Sequence, residues 1–153
     1  MQSIYLQQNK AATLAETHNL QTGDIIVREK VFGAEHHAVF SHYENGEAIL
    51  AENQWGIGTT QISLEKFLEG GEFLRVKKFE GDIEPVKQRL KELVGNKNYS
   101  LFFYNCEHFV NHVTGRKVES KQVNFVKEAV VAIVIAALFL AAIFSLARLA
   151  KRA

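Results

Sequence analysis

Nineteen consecutive residues, Ala129 to Ala147 (AVVAIVIAALFLAAIFSLA), hold a single polar side chain, Ser145. As an α-helix this run is about 28 Å long, close to the hydrocarbon thickness of a bilayer. The core helix of a water-soluble domain carries a polar face at helical spacing, and this stretch has none. It predicts a transmembrane helix over residues 125–148, followed by a short basic tail, 149–153. The opening residues, MQSIYLQQNKAATLAETHNL, have no apolar core behind basic residues and do not read as a signal peptide. The expected topology is therefore a single-pass C-terminal tail anchor, with the preceding domain in the cytosol. Arg116, Lys117, Lys121 and Lys127 precede the apolar run and Arg148, Lys151 and Arg152 follow it, so charge asymmetry adds little about orientation.

The rest of the chain must supply the chemistry. It is long enough for one domain with a real core. Eighteen basic and 17 acidic residues leave a net charge of +1, without the strongly basic balance of a nucleic-acid binder. The single cysteine excludes an internal disulfide framework and any multi-cysteine metal site. A free thiol suits a reducing compartment. No cofactor and no metal are expected.

Residues 1–20 are polar and weakly patterned, either a short helix or a loose lead-in. DIIVRE, Asp24 to Glu29, follows the turn residues Thr22-Gly23 and reads as a strand. HHAVFSHYENGEAILAEN, His36 to Asn53, places two apolar runs around Asn45-Gly46, a pair that tolerates the positive φ of a two-residue hairpin turn. Ser63 is placed to cap a short helix, Leu64 to Leu68, that ends at Gly70-Gly71. EFLRVKKF, Glu72 to Phe79, reads as another strand. Asp82 then caps a helix with Pro85 in its first turn, Val86, Leu90, Leu93 and Val94 on one face, and Gly95 as its stop. A further helix begins near Cys106, with Cys106, Phe109, Val110 and Val113 sharing one face. Strands in the middle and helices toward the end make an α+β pattern.

Cys106 falls in the first turn of that helix, where unpaired N–H groups and the positive end of the dipole favour a thiolate. The same amides suit an oxyanion on a substrate carbonyl. The bland alternative is a small buried side chain on an apolar face. A nucleophilic cysteine needs a base. Of six histidines, His108 and His112 turn away from the Cys106 face and read as surface residues. His18 lies in the lead-in, and His42 lies beside the hairpin turn. His36 and His37 point to opposite faces of one strand, and spacing alone does not choose between them. A third group should orient the base. With Asn45-Gly46 at the turn centre and an unbroken register, Ala38 pairs with Asn53, which puts Asn53 on the His36 face. A bulge would bring Glu52 there instead.

NCEHFVN, Asn105 to Asn111, resembles the signature of the lecithin:retinol acyltransferase-like domain. TGDIIVRE followed by EHHAVF resembles that family's earlier strand blocks, and KELVGNKNYSL its helix-loop before the cysteine. Thr114-Gly115, Ser120, Gln122-Val123 and the apolar tail stand in the order seen in the HRAS-like suppressor branch, the small phospholipase A/acyltransferases. The resemblance spans about residues 20–148. It implies a circularly permuted papain-like fold of the NlpC type, with an antiparallel sheet and packed helices, over residues 21–124. It implies Cys106 as nucleophile and, through H-x-A-V-F, His36 as general base. The relatives place a second histidine on the strand after the hairpin. Here EAILAENQ has none, so Asn53, with Glu52 as the runner-up, takes the orienting place. The cysteine-containing insert of retinol-specific enzymes is not evident, which points away from retinoid esterification. The implied activity is thioester-mediated acyl transfer from a glycerophospholipid to water, an amine or a lysolipid, at a membrane. The rival readings are a cysteine peptidase or amidase of the same fold, and an inactive membrane-anchored module.

Overall fold

The computed structural model describes residues 2–30, 33–97, 100, 104–117 and 120–150; side chains are described from Lys10 onward and, in the last helix, over 123–141 and at 143. Two compact units result, Met1–Ser120 and Lys121–Ala153. In the first, ten- and eight-residue strands β2 (Glu35–Glu44) and β3 (Glu47–Gln54) form the central hairpin. β1 (Ile25–Glu29), β4 (Gly58–Ser63) and β5 (Phe73–Lys77) complete an antiparallel sheet of order β4-β3-β2-β1-β5. The expected α+β class with an antiparallel sheet is what forms.

Helices cover both faces of the sheet. On one side α1 (Gln2–Thr17) and α2 (Leu64–Leu68) bring Ala11, Leu14, Ala15, Leu64 and Phe67 onto Ile26, Ala38, Phe40 and Leu50. On the other, α3 (Ile83–Leu93) and α4 (Cys106–Val113) bring Val86, Leu90, Phe109, Val110 and Val113 onto Ile25, Val27, Val39 and Ala51. Alternation along β2 and β3 thus feeds two cores, because successive strand side chains point to opposite faces.

The sequence signals act locally as the physics requires. Asn45 and Gly46 take φ of 49° and 84°, the left-handed conformations of a tight hairpin turn. Ser63 and Asp82 cap α2 and α3 by accepting from Lys66 N and Glu84 N. Asp24 is buried and ties β1 to the end of β5: its carboxylate accepts from Phe79 N at 2.9 Å and pairs with Lys78. Residues 1–20 are not a loose lead-in. Most of them form the 16-residue α1, and its small apolar residues Ala11 and Ala15 let it lie close to the sheet.

The hairpin register departs from the unbroken one. Glu44 pairs with Glu47 as the turn dictates, but Ser41 is an extra residue between the pairs Phe40–Leu50 and His42–Ile49. This bulge is held by Thr22, whose hydroxyl donates to the Ser41 carbonyl at 2.8 Å. Beyond it Ala38 pairs with Glu52, not Asn53. A one-residue slip turns every following side chain over, so Glu52 and Asn53 exchange faces.

The second unit is α5 (Lys121–Ala150), 30 residues and about 45 Å long. Its segment Val123–Ala141 is long and apolar enough to cross a membrane, by length and composition. The basic residues Lys151 and Arg152 lie outside the described residues.

Candidate active site

Asn105 builds the end of α4 on which Cys106 stands. Its side-chain oxygen accepts from Glu107 N at 3.0 Å and His108 N at 3.1 Å, while His108 Nδ1 accepts from Asn105 N at 3.3 Å. This reciprocal capping box fixes the first turn. Glu107 is locked in turn by Ser120, whose hydroxyl donates to its carboxylate at 2.6 Å and accepts from Asn105 Nδ2 at 3.3 Å. Two expectations change here. His108 is buried, since its ring closes the capping box, whereas His112 is exposed as expected. Two of the first three α4 amides are also already satisfied by Asn105, so the helix end offers fewer oxyanion donors than an open first turn.

Cys106 is buried, with its sulfur 3.9 Å from the Glu35 carbonyl at the start of β2. His36, the next residue, is also buried, and its Nε2 lies 2.7 Å from Glu52 Oε2, each side chain being 2 % exposed. The other ring nitrogen, Nδ1, has no conventional hydrogen-bond partner among the described residues. It is the nitrogen left for the thiol. Burial pushes the His36 pKa down, but the nearby Cys106 thiolate and the Glu52 carboxylate outweigh it and leave the pKa raised. For Cys106 burial pushes upward, and the interaction with His36, the His37 backbone and the Lys30 charge overcome it, so the thiol is more acidic than usual. Both shifts favour a thiolate–imidazolium pair.

The fold therefore brings Cys106, His36 and Glu52 together. Asn53 goes elsewhere: with the bulge it faces α4, and its amide donates to the Tyr104 carbonyl at 3.1 Å. The position sketched for Asn53 is occupied by Glu52, for the register reason given above. His37 lies on the other face, its Nε2 3.0 Å from Glu35 Oε2. His18 packs against Phe73 and His42 is exposed near the turn.

Two neighbours were missed from the sequence. Phe67 of α2 stacks on the His36 ring, with centroids 5.6 Å apart and planes 26° apart. Arg28, directly opposite His36 in the β1–β2 register, holds its guanidinium 4.9 Å from the centre of the same Phe67 ring. It also donates to the Gly70 carbonyl. Burial lowers the Arg28 pKa, against the opposing charges of Glu52 and Cys106. Pairing β1 with β2 in sequence would have placed Arg28 beside His36. Phe67 carries no such signal, because its approach depends on how α2 packs.

A thiol in a capped first turn, beside an imidazole that a carboxylate holds, is a nucleophile–base arrangement. The family model for lecithin retinol acyltransferase matches residues 18–118, about two thirds of the chain, from before β1 to beyond α4. The chain belongs to this family. Comparison with curated proteins and with solved structures returns no match. The family includes thiol-dependent acyltransferases that act on lipid substrates. Its match takes in Arg28, His36, Glu52, Phe67 and Cys106, and leaves out α1 and α5.

Proposed function

We propose that this protein is a thiol-dependent phospholipase A/acyltransferase of the HRAS-like suppressor kind, acting on glycerophospholipids. The observation that carries this reading is the juxtaposition of Cys106, in the capped first turn of α4, with a His36 ring held at 2.7 Å by Glu52. Cys106 is the nucleophile, His36 the general base and Glu52 the group that orients it. The unit preceding α5 is read as a circularly permuted papain-like domain, and α5 as a single-pass tail anchor that keeps it on the cytosolic side of a membrane.

In the first half-reaction the Cys106 S–H proton passes to His36 Nδ1. The thiolate attacks the ester carbonyl carbon, a C–S bond forms, and the carbonyl π pair moves onto oxygen. The Cys106 N–H is the amide left at this helix end to meet that oxyanion. As the oxyanion collapses, the ester C–O bond breaks and His36 returns the proton to the departing lysophospholipid. The second half repeats the sequence on the thioester: His36 takes a proton from water, an amine or a lysolipid, which attacks the acyl carbon and releases the Cys106 thiolate. Glu52 stabilises the imidazolium present between these transfers and, through Nε2, keeps Nδ1 aimed at sulfur.

The test is intact-protein mass spectrometry after incubation with mixed glycerophospholipids. A mass increase of one fatty acyl group on Cys106, absent in Cys106→Ser and sharply reduced in His36→Ala, is the expected result. Release of fatty acid from phosphatidylcholine vesicles at the native rate by either variant would overturn the mechanism, and a peptidyl adduct would replace the lipid reading with a peptidase.

A further inference from the structure

We propose that the β3–β4 turn, Trp55-Gly56-Ile57, is an interfacial anchor that seats the Cys106 end of the domain on a lipid surface. Trp55 is 79 % exposed and Ile57 is 55 % exposed. The turn is closed, with Ile57 N donating to Gln54 O at 3.2 Å, and Gly56 and Gly58 take φ of 79° and 89°. Nothing lies within 4 Å of where a Gly56 side chain would begin. The two apolar side chains are thus displayed on a tight tip facing open space, where a turn ordinarily carries polar residues.

The tip sits beside the chemistry. Glu52, which holds His36, lies on β3 three residues before Trp55, and β3 ends at Gln54. Asn53, two residues before Trp55, is bonded to the Tyr104 carbonyl, two residues before Cys106. That bond ties the strand end carrying the tip to the segment entering α4. The neighbouring 95–97 loop is fastened to the base of the turn, with Thr59 N donating to Asn96 O at 2.8 Å and Gly95 N donating to Thr59 O at 2.9 Å. Gly58 lies so close to it that a Cβ there would come 2.6 Å from Lys97 Cα. The exposed Lys97 therefore stands next to the apolar tip.

The chemistry of this patch selects a lipid partner. Tryptophan, with an apolar ring and one N–H donor, suits the headgroup level of a bilayer, and an adjacent lysine favours anionic headgroups. Two side chains are far too small a patch for a stable protein interface, which needs about 800 Å² per partner. A chain whose Val123–Ala141 helix can cross a bilayer also meets lipid more readily than any other surface. The choice of partner draws on the lipid-acting reading above, but the test does not depend on turnover.

Trp55 is the sole tryptophan of the chain, so intrinsic fluorescence reads the tip alone. The full chain, reconstituted in phosphatidylcholine/phosphatidylserine vesicles, is expected to emit at shorter wavelength than indole in water. The emission is expected to be quenched by lipids brominated near the headgroup end of their acyl chains and to be poorly quenched by acrylamide. Ile57→Asp is expected to restore water-like emission and acrylamide access, and Cys106→Ser is expected to behave as the native chain. Water-like, acrylamide-accessible emission in vesicles would overturn the proposal even if the enzyme is active. Protection from acrylamide without bromolipid quenching, as in contact with a second copy, would overturn it too. An inactive protein with a bromolipid-quenched Trp55 would leave the tip standing and remove only the catalytic reading.

Discussion

Glu52 Oε2 lies 2.7 Å from His36 Nε2 with both side chains buried. A carboxylate in such a place is costly unless it meets a cation, and breaking a buried pair by removing one partner costs about 3–5 kcal/mol because the other charge is left uncompensated. In the proposed mechanism the pair does two things for one residue: it fixes the ring so that Nδ1 is the nitrogen available to Cys106, and it holds the ring's proton more tightly. A histidine could do the first in this place, but an acidic residue does both.

Glu52→Gln tests that division of labour. The amide can still meet Nε2 but carries no charge, so the imidazolium loses its stabilisation. We expect kcat/KM for phospholipid hydrolysis to fall about 10²-fold, in the range by which a positioned base accelerates proton transfer, with the fold retained by circular dichroism. A loss of less than twofold would remove Glu52 from the mechanism.

The opposed shifts of Cys106 and His36 set a pH window. The thiolate forms above the lowered Cys106 pKa, and the imidazolium persists up to the raised His36 pKa. The thiolate–imidazolium pair that the proposed mechanism requires occupies the interval between them, as a property of the coupled pair. Iodoacetamide should label Cys106 with a midpoint below about 8.5, the ordinary thiol value. His36→Ala should move that midpoint upward, and Glu52→Gln should move the alkaline limb of the activity profile downward. Labelling of the native chain with an ordinary thiol midpoint would fit an inert buried cysteine instead.

These expectations show where the sequence was legible. The turn at Asn45-Gly46, the caps at Ser63 and Asp82 and the α4 start at Cys106 are set by side chains acting within three residues, and they could be read directly. The apolar α5 needed only composition. The Ser41 bulge could not be read, because it is held by Thr22, 19 residues away in the chain, and the local alternation of β2 contains no sign of the extra residue. That one residue decides whether Glu52 or Asn53 faces His36. α1 was obscure for a related reason: among its described side chains only Ala11, Leu14 and Ala15 are buried, too few to stand out as an apolar face in a polar stretch, and packing on the sheet fixes the helix.

Asn53→Ala separates a structural asparagine from an orienting one. The substitution removes the bond to the Tyr104 carbonyl and should cost about 1 kcal/mol of stability, visible as a lower Tm of the detergent-solubilised chain. Activity measured well below that Tm should stay within a fewfold of native. A loss matching that of Glu52→Gln, with Tm unchanged, would return the orienting role to Asn53.

Arg28 supplies the last prediction. It faces His36 across β1–β2, rests on the Phe67 ring that also stacks on His36, and interacts electrostatically with Glu52 and Cys106. Arg28→Met keeps an apolar stem on Phe67 and removes the cation. The thiolate then loses a favourable charge, so the acid limb of the Cys106 labelling profile should move to higher pH, by less than in His36→Ala, because His36 is the strongest influence lowering the Cys106 pKa. An effect of about 1 kcal/mol corresponds to a roughly fivefold fall in kcat/KM. Gly70→Ala should reproduce part of it, since a Cβ at that position would come 2.5 Å from Arg28 Cζ and force the guanidinium to move. If Arg28 serves only to pack α2 against the sheet, Arg28→Met will lower Tm while both limbs of the pH profile stay where they are. A shifted acid limb at unchanged Tm would identify its charge as part of what tunes the thiol.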